Sequence, residues 1–498
     1  MTHLQAPHTP DIRVCACNDL DILSDRSFVL YWMIAQRRPH YNFALQYAAE
    51  QAKALDLPLL IFEPLRTGYP WASDRLHRFI MDGMRDNAHH FKDSAALYYP
   101  YLERTEDAGK GLLKALAKHA ALVVTDDFPS FFIPSMIQAA AEKIDARLVQ
   151  VDSNGLLPLR AAPKVYTTAY SFRRGLHKLL PDHLANGFPM ADPLKEINLK
   201  PWPKDTNQII KNIQQKWNPA PSDMLNNRDK ATLADLPIDH EVTIAPVEGG
   251  HVAATTRMHL FLDEKLSAYP DDRNKPSEDG ASSLSPYFHF GHISSHEVFA
   301  QLCKNESWSP DKIAQKPTGK REGWWNMSAG AEAFLDELIT WREIGYNLAH
   351  KEPTKYSSFE ALPDFAKKTL REHADDKRPY IYTLEEFEEA QTHDKIWNAA
   401  QNQLVQTGQM HNYMRMLWGK KILEWTESPE QAAEVMIELN NKYALDGRNP
   451  NSYSGIFWCL GRYDRGWAER DVFGKIRYMT SKSTASKYDL SSYLRKYC

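Results

Sequence analysis

The chain has 498 residues, 43% of them apolar and 25% charged, with a formal net charge of -4. That length exceeds one ordinary domain and calls for two large domains or three smaller ones, and the composition is that of a soluble globular protein with no apolar run long enough to span a membrane. The charge balance gives no general sign of a nucleic-acid partner, and the opening "MTHLQAPHTPDIRVCACNDLD" lacks the basic-then-apolar pattern of a secretory signal.

Residues 1–25 read as an N-terminal tail. Cys15, Cys17, Cys303, Cys459 and Cys498 form neither an even framework nor paired CxxC clusters. That usage fits a reducing cytosol and gives no metal site. From residue 26 short apolar runs alternate with amphipathic stretches. Strands are expected at 28–33, 58–64, 96–100, 121–128 and 147–153, with helices at 40–55, 73–93, 111–120 and 135–144 between them. Strands alternating with helices specify a parallel sheet covered on both faces, so 26–180 is expected to be a doubly wound, Rossmann-like α/β domain. No GxGxxG follows its first strand, so that dinucleotide fingerprint is missing.

Residues 181–246 hold nine of the chain's 30 prolines in 66 residues and read as a long connector. From 247 to 498 helical periodicity dominates, so this domain is expected to be all-α. The segment 448–498 carries ten Lys or Arg against four acids, a local excess of six positive charges. It reads either as a phosphate-facing surface or as a solvated basic face.

The chemistry-bearing stretches lie in the helical half. "RNKPSEDGASSLSPYFHFGHIS" at 273–294 sets Ser282, Ser283 and Ser285 before a helix opening at Pro286, which reads as a helix cap or as a cradle for a pyrophosphate. In "FLDELITWREIGYNL", Glu337 and Trp341 stand at i, i+4, either around a ligand or as a surface acid over a buried indole. "QMHNYMRMLWGKKILEWT" at 409–426 places Trp418 and Trp425 within about 20° of each other around a helix. By periodicity alone such a stripe is core.

The domain order, with "SSLSPYFHFGHIS", "DELITWRE", "HDKIWNAAQNQLVQTGQMHNYMRMLWGKKILEWTESPEQA", "LDGRNPNSY" and "ERDVFGKIRYM", resembles the photolyase/cryptochrome superfamily and, within it, the class II cyclobutane pyrimidine dimer photolyases. The resemblance runs from "VLYWMIAQRRPHYNFAL" to the last helices. It implies an α/β antenna-type domain and a helical FAD-binding domain, with the reduced anionic flavin as the active form. It further implies a light-driven electron transfer that splits a pyrimidine dimer flipped out of UV-damaged DNA. A second, antenna chromophore is compatible with the family, but no residue is assigned to it. A monomer in the cytoplasm is expected, nucleoid-associated in a bacterium or archaeon.

Site residues follow from the same resemblance. Tyr269, Ser282, Ser283, Leu284 and Ser285 resemble the family's FAD phosphate and ribose contacts. Asn412, Arg415 and Asp446 match positions lining the flavin, the last two as an ion pair, and Asn440 matches the residue facing flavin N5. Glu337 matches the acid beside the lesion, and Trp341, Met416 and Trp458 match the lesion walls. Trp397, Trp418 and Trp425 match an electron-transfer chain, and Arg448, Arg462, Arg465, Lys475 and Arg477 are expected at DNA phosphates. Asn412 and Leu417 depart from the residues more frequent in class II members, Gly and Tyr. Two alternatives share the fold: a cryptochrome-type receptor, which in plants carries Asp at the Asn440 position, and a (6-4) photolyase, which relies on active-site histidines.

Overall fold

A computed structural model describes Gln5, residues 8–185 and residues 187–498, without the side chains of 204–207. Residues 1–4, 6 and 7 of the expected tail, and residue 186, lie outside the described residues. The chain divides into two units, Met1–Ala162 with Leu179–His259 and Leu284–Asp311, and Pro163–Lys178 with Leu260–Ser283 and Lys312–Cys498.

The first unit is built on a six-stranded sheet in the order β1-β6-β5-β2-β3-β4. Strands β2 (Phe28–Trp32), β3 (Leu59–Leu65), β4 (Leu97–Leu102), β5 (Ala120–Asp126) and β6 (Arg147–Val151) pair in parallel. Every residue of β2 and β5 is buried, as the apolar runs FVLYW and AALVV require when helices cover both faces. Helix α1 (Phe43–Ala54) starts at Asn42, whose side chain accepts from the N–H groups of Ala44 and Leu45. It lays Phe43, Leu45, Ala48 and Ala52 on the alternate residues Val29, Tyr31, Leu59, Ile61, Leu122 and Val124. Helices α2 (Asp74–Phe91), α3 (Leu112–Ala117) and α4 (Ile133–Ala141) complete the alternation.

The loop after β2 is pinned by one buried acid. Asp126, the last residue of β5, accepts from Tyr31 Oη at 2.7 Å and from the N–H groups of Ile34, Ala35 and Gln36 at 2.8, 2.8 and 2.9 Å. Gly291 closes on this loop at φ 69°, and a Cβ there would stand 2.1 Å from the Ala35 carbonyl oxygen.

Two features differ from the sequence reading. Val14–Ala16, placed in the tail, forms β1 and pairs antiparallel with β6, so the sheet is mixed rather than wholly parallel. Three residues are too few to show a period, and what recruits them is the open edge of β6. The proline-rich segment 181–246 is not a free linker but part of the first unit. Its prolines serve as helix starts, with Pro193 in the first turn of Pro193–Glu196 and Pro203 and Pro221 immediately before Lys204–Gln214 and Ser222–Asn226. Arg78 anchors it by donating to the carbonyls of Met224, Leu225 and Asn227.

The second unit is helical. Asp394 caps Lys395–Thr407, which ends on Gly408 at φ 70°. Asn412–Trp425, Pro429–Tyr443 and Pro450–Cys459 follow, capped by the side chains of His411, Ser428 and Asn449. Gly419 allows the first of these to press on the other two, because a Cβ there would lie 2.7 Å from Cys459 Sγ and 2.9 Å from Met436 Sδ. Among the described residues, no helix is long and apolar enough to cross a membrane.

Candidate functional site

Helix Asn412–Trp425 has two chemically different faces. Met414, Leu417, Trp418, Ile422 and Trp425 are buried in the core of the second unit, whereas Asn412 is exposed and Arg415 and Met416 are half-buried. Positions i, i+3 and i+4 share one stripe. Arg415 Nη2 pairs with Asp446 Oδ1 at 3.0 Å. Asp446 stands in a turn tied to the preceding helix, where Arg448 N donates to Asn441 Oδ1 at 2.8 Å. Nearby Asn440 is buried and donates from Nδ2 to Ser452 Oγ at 2.7 Å, which fixes which way its amide points.

Glu337 and Trp341 sit in a π-helical stretch, Asp336–Trp341, inserted between the helices Ala329–Leu335 and Arg342–Lys351. Such wide turns recur at functional sites because they redirect side chains without ending the helix. The sequence offered no sign of this one. Glu337 pairs with the guanidinium of Arg273, which also lies 5.8 Å from the centre of the Tyr269 ring. Tyr269 itself is buried against Phe261 and Phe334. Burial raises the Glu337 carboxyl above the usual range, with Asp336 adding to the rise and Arg273 opposing it. Arg273 was missed, although its spacing of four residues from Tyr269 was a readable signal.

The three tryptophans form a row whose order differs from the helix stripe. Trp397, from the neighbouring helix, lies between the other two, 6.5 Å from Trp418 with rings 6° from parallel and 6.1 Å from Trp425 at 66°. Its Nε1 donates to the Trp418 carbonyl, and Trp418 Nε1 donates to Gln401 Oε1. All three are buried, so Trp425 does not itself reach solvent. Beyond it stand Tyr382 at 5.7 Å and His393 at 5.0 Å, joined by a 2.7 Å contact between Tyr382 Oη and His393 Nδ1. Tyr380, 47% exposed, stacks on His393 at 3.8 Å. These three were not picked out from the sequence.

The basic segment separates into two classes, which corrects part of the expected phosphate-contact set. Arg448 and Arg462 are buried, and their guanidinium groups donate to the backbone carbonyls of Asn441, Ala444 and Ala361. They satisfy buried carbonyls and present no charge to a phosphate. Arg465, Lys475 and Arg477 are exposed. Arg477 lies 5.2 Å from the Trp467 ring and 5.9 Å from Trp458, and Arg465 lies 5.5 Å from Trp467. Trp467, 41% exposed, lies beside these cations.

Of the hydroxyl loop, Ser282 and Ser283 fall in the second unit, and Leu284 and Ser285 in the first. Ser283 takes a positive φ of 55°. The helix it precedes, Ser285–His289, is five residues long, so the helix-start contribution expected for a pyrophosphate is small. Leu284 is fully buried.

As a donor set the second unit fits a flavin. A helix largely buried in the core leaves partly uncovered a short stripe bearing an amide, a guanidinium and a thioether, with Tyr413 and Glu424 also half-buried. A carboxylate and an oriented amide stand beside it.

No protein-family model matches the chain. It is 34% identical over 469 residues to the deoxyribodipyrimidine photo-lyase of Methanothermobacter thermautotrophicus, covering 94% of each chain. It is 34% identical to that of Arabidopsis thaliana, over 94% of this chain and 88% of the relative, and 32% identical to that of Potorous tridactylus, over 94% and 80%. The fold is similar to a crystal structure of a bacterial class III photolyase from Agrobacterium tumefaciens. The TM-score is 0.60 at 16% identity, covering 95% of this chain and 86% of that one.

Proposed function

We propose a specific reaction for this chain, which belongs to the deoxyribodipyrimidine photo-lyase family of the photolyase/cryptochrome superfamily: as a class II member, it splits cyclobutane pyrimidine dimers in UV-damaged DNA. The family makes it an enzyme of light-dependent DNA repair. The observation that carries the finer reading is the double use of helix Asn412–Trp425. One stripe offers Asn412, Arg415 and Met416 to a ligand, and the opposite side is lined with indoles.

Bound as the reduced anion, FAD supplies the light-excited electron that opens the dimer. Asn412, Arg415, Asn440 and Asp446 would hold its ring system, and Tyr269 with Ser282 and Ser283 its ribose and phosphate end. The Arg415–Asp446 pair sets a cation and an anion along one edge, so a planar ligand binds in one orientation. Asn440, its N–H committed to Ser452, would offer its carbonyl oxygen to a protonated ring edge.

Glu337 acts on the lesion. Its raised pKa lets the carboxyl keep a proton to higher pH than an exposed glutamate, and Arg273 supplies the compensating hydrogen bond when that proton is gone. Trp341, Met416 and Trp458, all half-buried, form apolar walls that exclude water from the flipped-out dimer. No histidine stands at those three positions, which favours the cyclobutane dimer over the (6-4) product. Arg465, Lys475 and Arg477 bind phosphates, with Trp467 offering a face for a base. The row Trp418, Trp397, Trp425 would relay electrons inward to a bound flavin, its outer end continued to the surface by Tyr382, His393 and Tyr380.

The test is an absorption spectrum of the purified protein followed by repair assays under blue light on matched oligonucleotides. The expected result is a bound flavin and loss of the cyclobutane dimer with the (6-4) product untouched. Repair of the (6-4) product alone would overturn the lesion assignment, and a flavin that bleaches in light without repairing either would favour a receptor.

A further inference from the structure

Separate segments of the first unit bring three imidazoles and two carboxylates together. His40 comes from the loop after β2, His90 from the last turn of α2, and Asp192 from the residue before helix Pro193–Glu196. His251 opens helix His251–Leu260, and Glu297 lies in Ser295–Asn305. His90 Nε2 is 3.4 Å from Asp192 Oδ2, and His40 Nδ1 is 4.0 Å from the same oxygen. One nitrogen of each histidine and one oxygen of Asp192 lie within 4.8 Å of one another. The His40 ring meets those of His90 and His251 at 4.6 Å, and His251 Nε2 is 2.9 Å from Glu297 Oε1.

We propose that His40, His90 and Asp192 bind one divalent first-row transition ion, with Zn²⁺ as the test ion, and that the His251–Glu297 pair positions His40. Two ligand atoms about 2.1 Å from a tetrahedral ion stand about 3.4 Å apart. The His90–Asp192 spacing already meets that, and His40 Nδ1, 4.0 Å from Oδ2, has to close by about 0.6 Å. Two imidazoles and one carboxylate suit Zn²⁺ and leave a fourth position for water.

Two further observations point to a ligand. Asp192 is only 9% exposed, yet neither oxygen accepts a well-aligned hydrogen bond. Although Asp192 precedes a helix, its side chain caps nothing. Oδ2 meets ion-pair contacts from His90, from His40 at 4.0 Å and from Lys195 at 3.1 Å, the last on a chain exposed enough to swing away. The second is the backing of His40: the His251 ring lies 4.6 Å from it, and His251 Nε2 is held 2.9 Å from Glu297 Oε1.

The experiment uses the full chain, stripped with a chelator, titrated with Zn²⁺ by calorimetry and with Co²⁺ by visible absorption. We expect one Zn²⁺ per chain and a higher Tm when it is bound. Affinity should fall at least about 100-fold in Asp192→Asn and His90→Gln and about 10- to 100-fold in Glu297→Gln. His89→Gln, at the exposed neighbour in α2, should leave it unchanged. No uptake, or uptake indifferent to the first two substitutions, overturns the proposal and leaves His90 and Asp192 as a plain ion pair. Should those variants fail to fold, the wild-type Co²⁺ spectrum decides. Intense tetrahedral absorption supports the site, and the weak absorption of an octahedral aquo ion refutes it.

Discussion

Lys420 is the most quantifiable lever in the second unit. It is fully buried one residue beyond Gly419, its Nζ donates to the Cys459 carbonyl at 2.5 Å, and it lies 5.3 Å from the Trp458 ring. Among the described residues, no carboxylate forms a salt bridge with it. Burial pulls its pKa from the ordinary 10.5 to about 8, only weakly opposed by Cys459 and Asp464. A tenfold change in proton affinity corresponds to about 1.4 kcal/mol, so the charged lysine costs the fold about 3 kcal/mol. The native form holds this proton less tightly than the unfolded form, so the cost is fully present below pH 8 and disappears as pH rises to 10.5. Lys420→Met keeps the aliphatic stem, removes the charge, and forfeits about 1 kcal/mol through the unpaired Cys459 carbonyl. The variant should therefore be more stable than wild type by about 2 kcal/mol at pH 7. That advantage should shrink by about 1.4 kcal/mol per pH unit between 8 and 10. Urea unfolding followed by circular dichroism at several pH values, read as the difference between the two proteins, cancels the titration of every other group. A Met variant less stable at pH 7, or a difference that stays flat to pH 10, would refute the reasoning. The wild-type chain carries this cost beside Trp458, so the same variant should bind dimer-containing DNA less tightly.

Trp397→Phe should nearly abolish flavin photoreduction while repair after chemical reduction in the dark stays near wild type, because the middle ring of the row is lost and the lesion walls are untouched; photoreduction at the wild-type rate would make the row mere core. Arg273→Met removes the one group that most opposes the upward shift of Glu337, so the carboxyl should titrate at higher pH and the pH–rate profile of repair should move to the alkaline side. An unmoved profile would mean that Glu337 does not titrate in the reaction. Arg477→Ala and Lys475→Ala should each lower the salt dependence of DNA binding by about one counterion. Arg462→Ala should leave that slope alone and lower stability instead, since its guanidinium serves a buried carbonyl; equal slopes for all three would put the docking face elsewhere.

What could be read along the chain was whatever repeats within a few residues. The five parallel strands and their helices were legible because β2 and the first five residues of β5 are apolar runs and the helices between them are amphipathic, the first capped by Asn42. Burial and pairing across long separations could not be read. Trp418 and Trp425 share a helix face by arithmetic, but that Trp397 sits between them follows from how two helices cross. Ten basic residues near the C-terminus look alike in sequence, and only packing sends Arg448 and Arg462 inward to carbonyls while Arg477 stays in solvent beside Trp467. Residues 181–246 looked like a linker because proline breaks periodicity, yet a proline at a helix start costs no hydrogen bond, and three of them begin helices there. His40, His90, Asp192 and His251 have no common spacing at all. Their meeting depends on a loop held by Asp126, the length of α2 and the docking of a segment a hundred residues further on, contacts whose free energy exists only once the first unit has folded.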